Sequence, residues 1–146
     1  MSNPGPAITS SIHPSNLSSV QALRLLGKVS GVSTAAAGDT ALQINNSTTY
    51  CVQQVVFANA NNAGATADVS TVDVGIYPSK GRVGTAILTN GANMASNTSS
   101  AGVSVVTATS HLAANTEQVL YVNINTAFVT ATVDVYIYGY DLSVSS

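Results

Sequence analysis

The sequence predicts an all-β protein, an antiparallel eight-stranded jelly-roll β-sandwich preceded by an extended N-terminal arm. Three observations carry that prediction. From about residue 20 onward, apolar and polar residues alternate with a period of two, as on a half-buried strand. The alternating runs are rich in Val, Ile, Thr and Tyr, which suit a pleated surface. Asn/Gly/Ala/Ser segments separate them, and no window sustains the i, i+3, i+4, i+7 stripe of an amphipathic helix. Eight short strands at turn-punctuated spacing in one domain indicate a sandwich or barrel, and the strand number favours a jelly roll.

The elements follow in order. Residues 1–19, "MSNPGPAITSSIHPSNLSS", hold no Asp, Glu, Lys or Arg and read as an extended arm. The single sandwich domain occupies 20–146. Strands are expected at 21–29 ("QALRLLGKV"), 40–45 ("TALQIN"), 50–58 ("YCVQQVVFA") and 69–77 ("VSTVDVGIY"). Four more are expected at 83–89 ("VGTAILT"), 102–109 ("GVSVVTAT"), 117–124 ("EQVLYVNI") and 131–141 ("ATVDVYIYGYD"). The segment "VDVGIY" at 72–77 echoes "VDVYIY" at 133–138, with Gly75 standing where Tyr136 stands. One strand therefore needs close backbone approach at that position while the other carries an aromatic.

A chain of 146 residues is one domain by default and buries roughly two-thirds of its unfolded surface. Its single cysteine, Cys51, cannot build a disulfide framework and is expected to pack as a small buried hydrophobe. A lone thiol suits a reducing cytoplasm rather than a small secreted disulfide scaffold. Only 7% of residues are charged, against about 25% in ordinary domains. With a net charge of −2, the chain is a poor match for nucleic acid or an acidic membrane surface. No apolar run approaches the roughly 18 residues of a membrane span, and the start lacks the basic and apolar regions of a signal peptide. Free monomers benefit from net charge for solubility, whereas a protein held in an assembly needs less of it.

Chemistry is sparse. The two histidines, His13 and His111, have neither spacing nor neighbours for a metal site, and no cofactor is expected. Ser110 and His111 are adjacent, so on a strand they face opposite sides and form no nucleophile–base unit. Asp73 and Asp134 occupy equivalent places in the echoed strands; they are read as outward positions where charge discourages edge pairing, rather than as a glycosidase pair. Asp141 is expected to close the last strand by bonding local backbone N–H groups. The turn "PSKGRVG" lacks the spacing of a phosphate loop but concentrates Lys80 and Arg82. Arg24 and Lys28, four apart on the first strand, should share a face. These four are the candidate capsid contacts of the reading below.

The C-terminal strand offers the strongest signal. Tyr136, Tyr138 and Tyr140 alternate with Val135, Ile137 and Gly139, so three tyrosines project from one face. Successive rings stand roughly 6.6 Å apart and span about 13 Å. Without basic charge or tryptophan, a nucleic-acid or sugar platform is disfavoured. Tyrosine is enriched at protein interfaces because it buries large area at small entropic cost. The ladder Tyr136, Tyr138, Tyr140 is therefore the candidate subunit interface.

Three stretches carry a resemblance. The ending "DVYIYGYDLS" resembles the closing strand of small jelly-roll cement or decoration proteins on tailed-bacteriophage capsids. "TTYCVQQVVFANAN" is similar to their early strand and "VDVGIYPSKGRVGTAI" to their central hairpin. The similarity runs from about residue 39 to the C-terminus and leaves out the arm and first strand. It implies a non-enzymatic virion protein on the outer surface of the capsid, made in the bacterial host cytoplasm. The implied partners are the major capsid protein and further copies of the chain, a dimer in preference to a trimer, with neither nucleic acid nor membrane. A receptor- or glycan-binding head of a phage fibre, with the same sandwich fold, is the alternative.

Overall fold

The computed structural model describes residues 23–100 and 102–143. The expected arm, residues 1–19, lies outside them. Among the described residues there is no helix, and nine strands run as β1 (Arg24–Ser33), β2 (Gly38–Gln43), β3 (Tyr50–Asn62), β4 (Ala65–Thr66), β5 (Val74–Tyr77), β6 (Leu88–Gly91), β7 (Val103–Thr107), β8 (Val119–Ile124) and β9 (Thr132–Asp141). Every pairing is antiparallel. One sheet has the order β1-β9-β3, with β7 and β4 sharing the far edge of β3, and the other is β2-β8-β5-β6.

Each of the eight expected strands corresponds to one observed. The ninth is the two-residue β4, formed because β3 runs on to Asn62 and folds back through a two-residue turn. Ala63 and Gly64 both take positive φ there, 51° and 88°, the conformation of a hairpin turn whose twist matches its flanking strands. Two expected strands lose their first five residues. Residues 69–72 form a turn instead, set by the Asp68 carboxylate, which accepts the Ser70 N–H at 2.9 Å and the Ser70 hydroxyl. Residues 83–87 form a loop, with Gly84 at φ 93° packed against Pro78.

The two sheets close on a core that follows the period-two pattern closely. β9 contributes Val133, Val135 and Ile137, and β3 contributes Val52, Val55 and Phe57, all fully buried. From the facing sheet come Leu42, Val74, Ile76, Leu120 and Val122. Area of this kind stabilises by roughly 25 cal/mol per Å² removed from water. Tyr50 is the one core tyrosine with no solvent exposure, and its hydroxyl donates to the Glu117 carbonyl at 2.5 Å. Burial first, and the Glu117 charge second, push that hydroxyl well above its ordinary ionisation range. Its proton is therefore held for the hydrogen bond.

The echoed strands differ for the reason their sequences suggest. A side chain at Gly75 would place its Cβ 2.8 Å from Asn90 Oδ1 and 2.9 Å from the Asn90 backbone nitrogen. Asn90 lies over β5 and donates to Asn123 Oδ1 at 3.3 Å, and Asn123 donates to Asp39 Oδ1 at 2.9 Å. This polar row crosses the outer face of the second sheet. On β9 the equivalent position is open, and Tyr136 occupies it.

Candidate protein-binding face

β9 lies in the middle of its sheet, so its outward residues meet neighbours on both sides. The register sets two rows. In one, Lys28, Tyr136, Val56 and Val105 stand side by side across β1, β9, β3 and β7. In the other, Leu25, Tyr138, Gln54 and Thr107 do so. Tyr140 stands opposite Cys51, and Ala58 opposite Val103. The three tyrosines are each half-buried by these neighbours. Leu25, Val103 and Val105 remain 39%, 53% and 56% exposed. The result is an aromatic and aliphatic outer face whose only charge in these rows is Lys28. Paired strands lie about 4.8 Å apart, so four strands span roughly 14 Å.

The ladder itself was legible in the sequence. Leu25, Val56 and Val105 were not, because they join it through strand order: β9 pairs between β1 and β3 although both lie far away in the chain. A signal existed in retrospect, since Val103 and Val105 alternate with inward residues in a run without charge.

Arg24 and Lys28 do not share a face, contrary to the four-residue spacing. A bulge between Leu25 and Gly27 shifts the alternation, so Arg24 stands opposite inward Gly139 and Lys28 opposite outward Tyr136. Arg24 is committed to the fold. Its guanidinium donates to the carbonyls of Asn45 at 3.2 Å and Asn46 at 3.0 Å and pairs with Asp141 at 3.4 Å. Lys80 and Arg82 stand on the other sheet's side, where the Lys80 ammonium lies 5.8 Å from the Tyr121 ring centre. Arg82 is exposed in its turn at φ 61°, beside Gly81, whose N–H donates to Asp39 at 3.1 Å. The four basic residues therefore make no single patch.

Asp141 closes β9 as expected. One oxygen accepts the Ser143 N–H at 3.0 Å, the Ser143 hydroxyl, and the Ser47 hydroxyl at 2.8 Å. Burial opposes its ionisation, but the bonds from Ser143 and Ser47 and the Arg24 charge outweigh it and hold the carboxyl below its usual range. Gly139 makes room for the same corner, since a Cβ there would run into the Cys51 carbonyl oxygen.

Three expectations need correction. Cys51 is half-buried on the outer face rather than in the core; its thiol donates to the His111 carbonyl at 3.0 Å beneath the loop that follows β7. Asp134 guards no edge, because β9 is a central strand. Its carboxylate instead bonds Gly31 and Asn59 on the two flanking strands. Asp73, expected on a strand, lies just ahead of β5 and outside any strand, where it accepts the Asn125 side chain at 2.9 Å.

In comparisons with known proteins, no family model, no curated protein and no solved structure matches the chain.

Proposed function

We propose that this chain is a structural subunit of a larger assembly, a cement protein that binds the outside of an icosahedral phage head and bridges neighbouring capsomers. The observation that carries the reading is the outer face of the β9-centred sheet. Tyr136, Tyr138 and Tyr140 are flanked there by Leu25, Val56 and Val105, and a surface of this composition favours contact with another protein. The jelly-roll reading belongs to the same proposal. With β4 set aside, the orders β1-β9-β3-β7 and β2-β8-β5-β6 are those of eight strands wound as two interleaved Greek keys. Such a clamp works by number: many weak contacts, geometrically repeated, must break together before a pressurised shell opens. Lys28 at the rim of the face adds orientation more than affinity.

Purified particles test this. Quantified against the major capsid subunit, the protein should be present within severalfold of equimolar. A few copies per particle would overturn the cement reading in favour of a fibre head. Tyr138→Ser should reduce retention on particles severalfold while changing the melting temperature of the free protein little. Loss of stability alone would assign the ladder to the fold.

A further inference from the structure

Among the described residues the two sheets end on five edge strands, and four are protected; β4 is only two residues long. β1 bulges twice, between Leu25 and Gly27 and between Val29 and Val32, carries Lys28, and is bridged to β2 through Gly27 and Ile44. β2 shares that bridge and carries Asp39. β6 is four residues long and irregular against β5. Bulges, charges and shortness are the devices by which sheets avoid edge-to-edge pairing.

β7 has none of them beyond a modest length. It pairs with β3 in unbroken register from Val103 to Thr107, is rich in β-branched residues, and holds neither charge nor proline. No strand pairs with its second edge among the described residues. The open stretch is bounded by the Asn97–Gly102 bridge at one end and at the other by the Ser110 N–H, which donates to the Ile87 carbonyl. The Ala108 N–H donates to the Gln53 carbonyl at 3.0 Å, which fixes the alternation. Val106 and Ser104 then bond toward β3, and the N–H and C=O groups of Val103, Val105 and Thr107 point to the open edge.

We propose that β7 pairs antiparallel with β7 of a second copy of this chain, about a two-fold axis at Val105. Such an edge is its own complement. Val105 exchanges main-chain hydrogen bonds with Val105 of the second copy, and Val103 does so with that copy's Thr107. With no charge on either strand, nothing repels the approach. The same two-fold placed on β1 would set Lys28 against Lys28. Pairing at β7 also fuses the two outer faces, so that the row Tyr136, Val56, Val105 continues into its mirror-order counterpart as one aromatic and aliphatic band. The self-contact is then the edge, and the tyrosine ladders stay free for a different protein. Five residues bury little area, so pairing is concentration-dependent in solution and strengthened by shared attachment. This inference follows from the edge alone and stands or falls separately from the capsid reading, which particle stoichiometry tests.

Sedimentation of the purified full chain over a concentration series provides the test, with Val105→Lys and Tyr138→Ser measured alongside. A monomer–dimer equilibrium is expected, weakened at least tenfold by Val105→Lys and unchanged within twofold by Tyr138→Ser. A chain that stays monomeric, forms a trimer, or loses its dimer through Tyr138→Ser rather than Val105→Lys overturns the proposal. Hydrogen exchange on the unmodified protein decides the matter even if Val105→Lys fails to fold. The Val105 amide should gain protection as concentration rises, and exchange independent of concentration rejects the pairing.

Discussion

The carboxylate of Asp134 accepts the backbone N–H of Gly31 at 2.9 Å, on the strand beside its own. Its second oxygen accepts the Asn59 amide, also at 2.9 Å, on the strand at the other side. Both neighbours are irregular at this level, β1 between Val29 and Val32 and β3 between Ala58 and Asn61. Gly31 and Asn59 each take positive φ, 71° and 57°. One side chain on the central strand thus fills the gap that two bulges leave in the ladder.

Removing that acceptor should loosen both bulges. Asp134→Ala is expected to cost about 1–2 kcal/mol, read as a fall of roughly 3–6 °C in melting temperature. Asp134→Asn, which keeps one acceptor, should cost less. A melting temperature unchanged by Asp134→Ala would mean that water replaces the carboxylate without loss.

Asp141 gives a pH dependence with a definite sign. Its folded carboxyl ionises at lower pH than the unfolded chain's, which titrates near 3.9. Folding therefore favours the ionised form. That contribution is complete above about pH 5 and is lost as pH falls through the folded value. Thermal melts between pH 6 and pH 2.5 should show Asp141→Asn less stable than the unmodified protein near neutrality, with the gap closing in acid. A constant gap across that range would remove Asp141 as a source of the acid slope. Asp68, whose bonds from Ser70 also lower its pKa, titrates in both proteins and cancels in the comparison.

Gly75 tests the contrast between the echoed strands. Gly75→Ala forces a Cβ against both the side chain and the backbone of Asn90, and should destabilise by about 1–3 kcal/mol. Gly38→Ala, with nothing within 4 Å of the new Cβ, is the control and should be near neutral or slightly stabilising. Urea denaturation of the two variants measures the difference. Equal stabilities would show that Asn90 moves aside at no cost.

The sequence by itself determined the all-β class, the approximate position of eight strands and the inward set Val133, Val135 and Ile137. It also determined the outward projection of Tyr136, Tyr138 and Tyr140. These follow from the two-residue period of a strand, which is local and needs no knowledge of partners. The need for glycine at position 75 was legible for the same reason, by comparison with a strand of nearly the same sequence. Tertiary structure decided which strands became neighbours. Only the order β1-β9-β3-β7 brings Leu25, Val56 and Val105 beside the tyrosines and leaves β7 with an open edge. Bulges were equally hidden, because one extra residue reverses which face a side chain takes: that separated Arg24 from Lys28. The central place of β9 turned Asp134 from an expected edge charge into the acceptor between two strands. Alternation is written in adjacent residues, whereas register is settled by contacts between residues about a hundred positions apart.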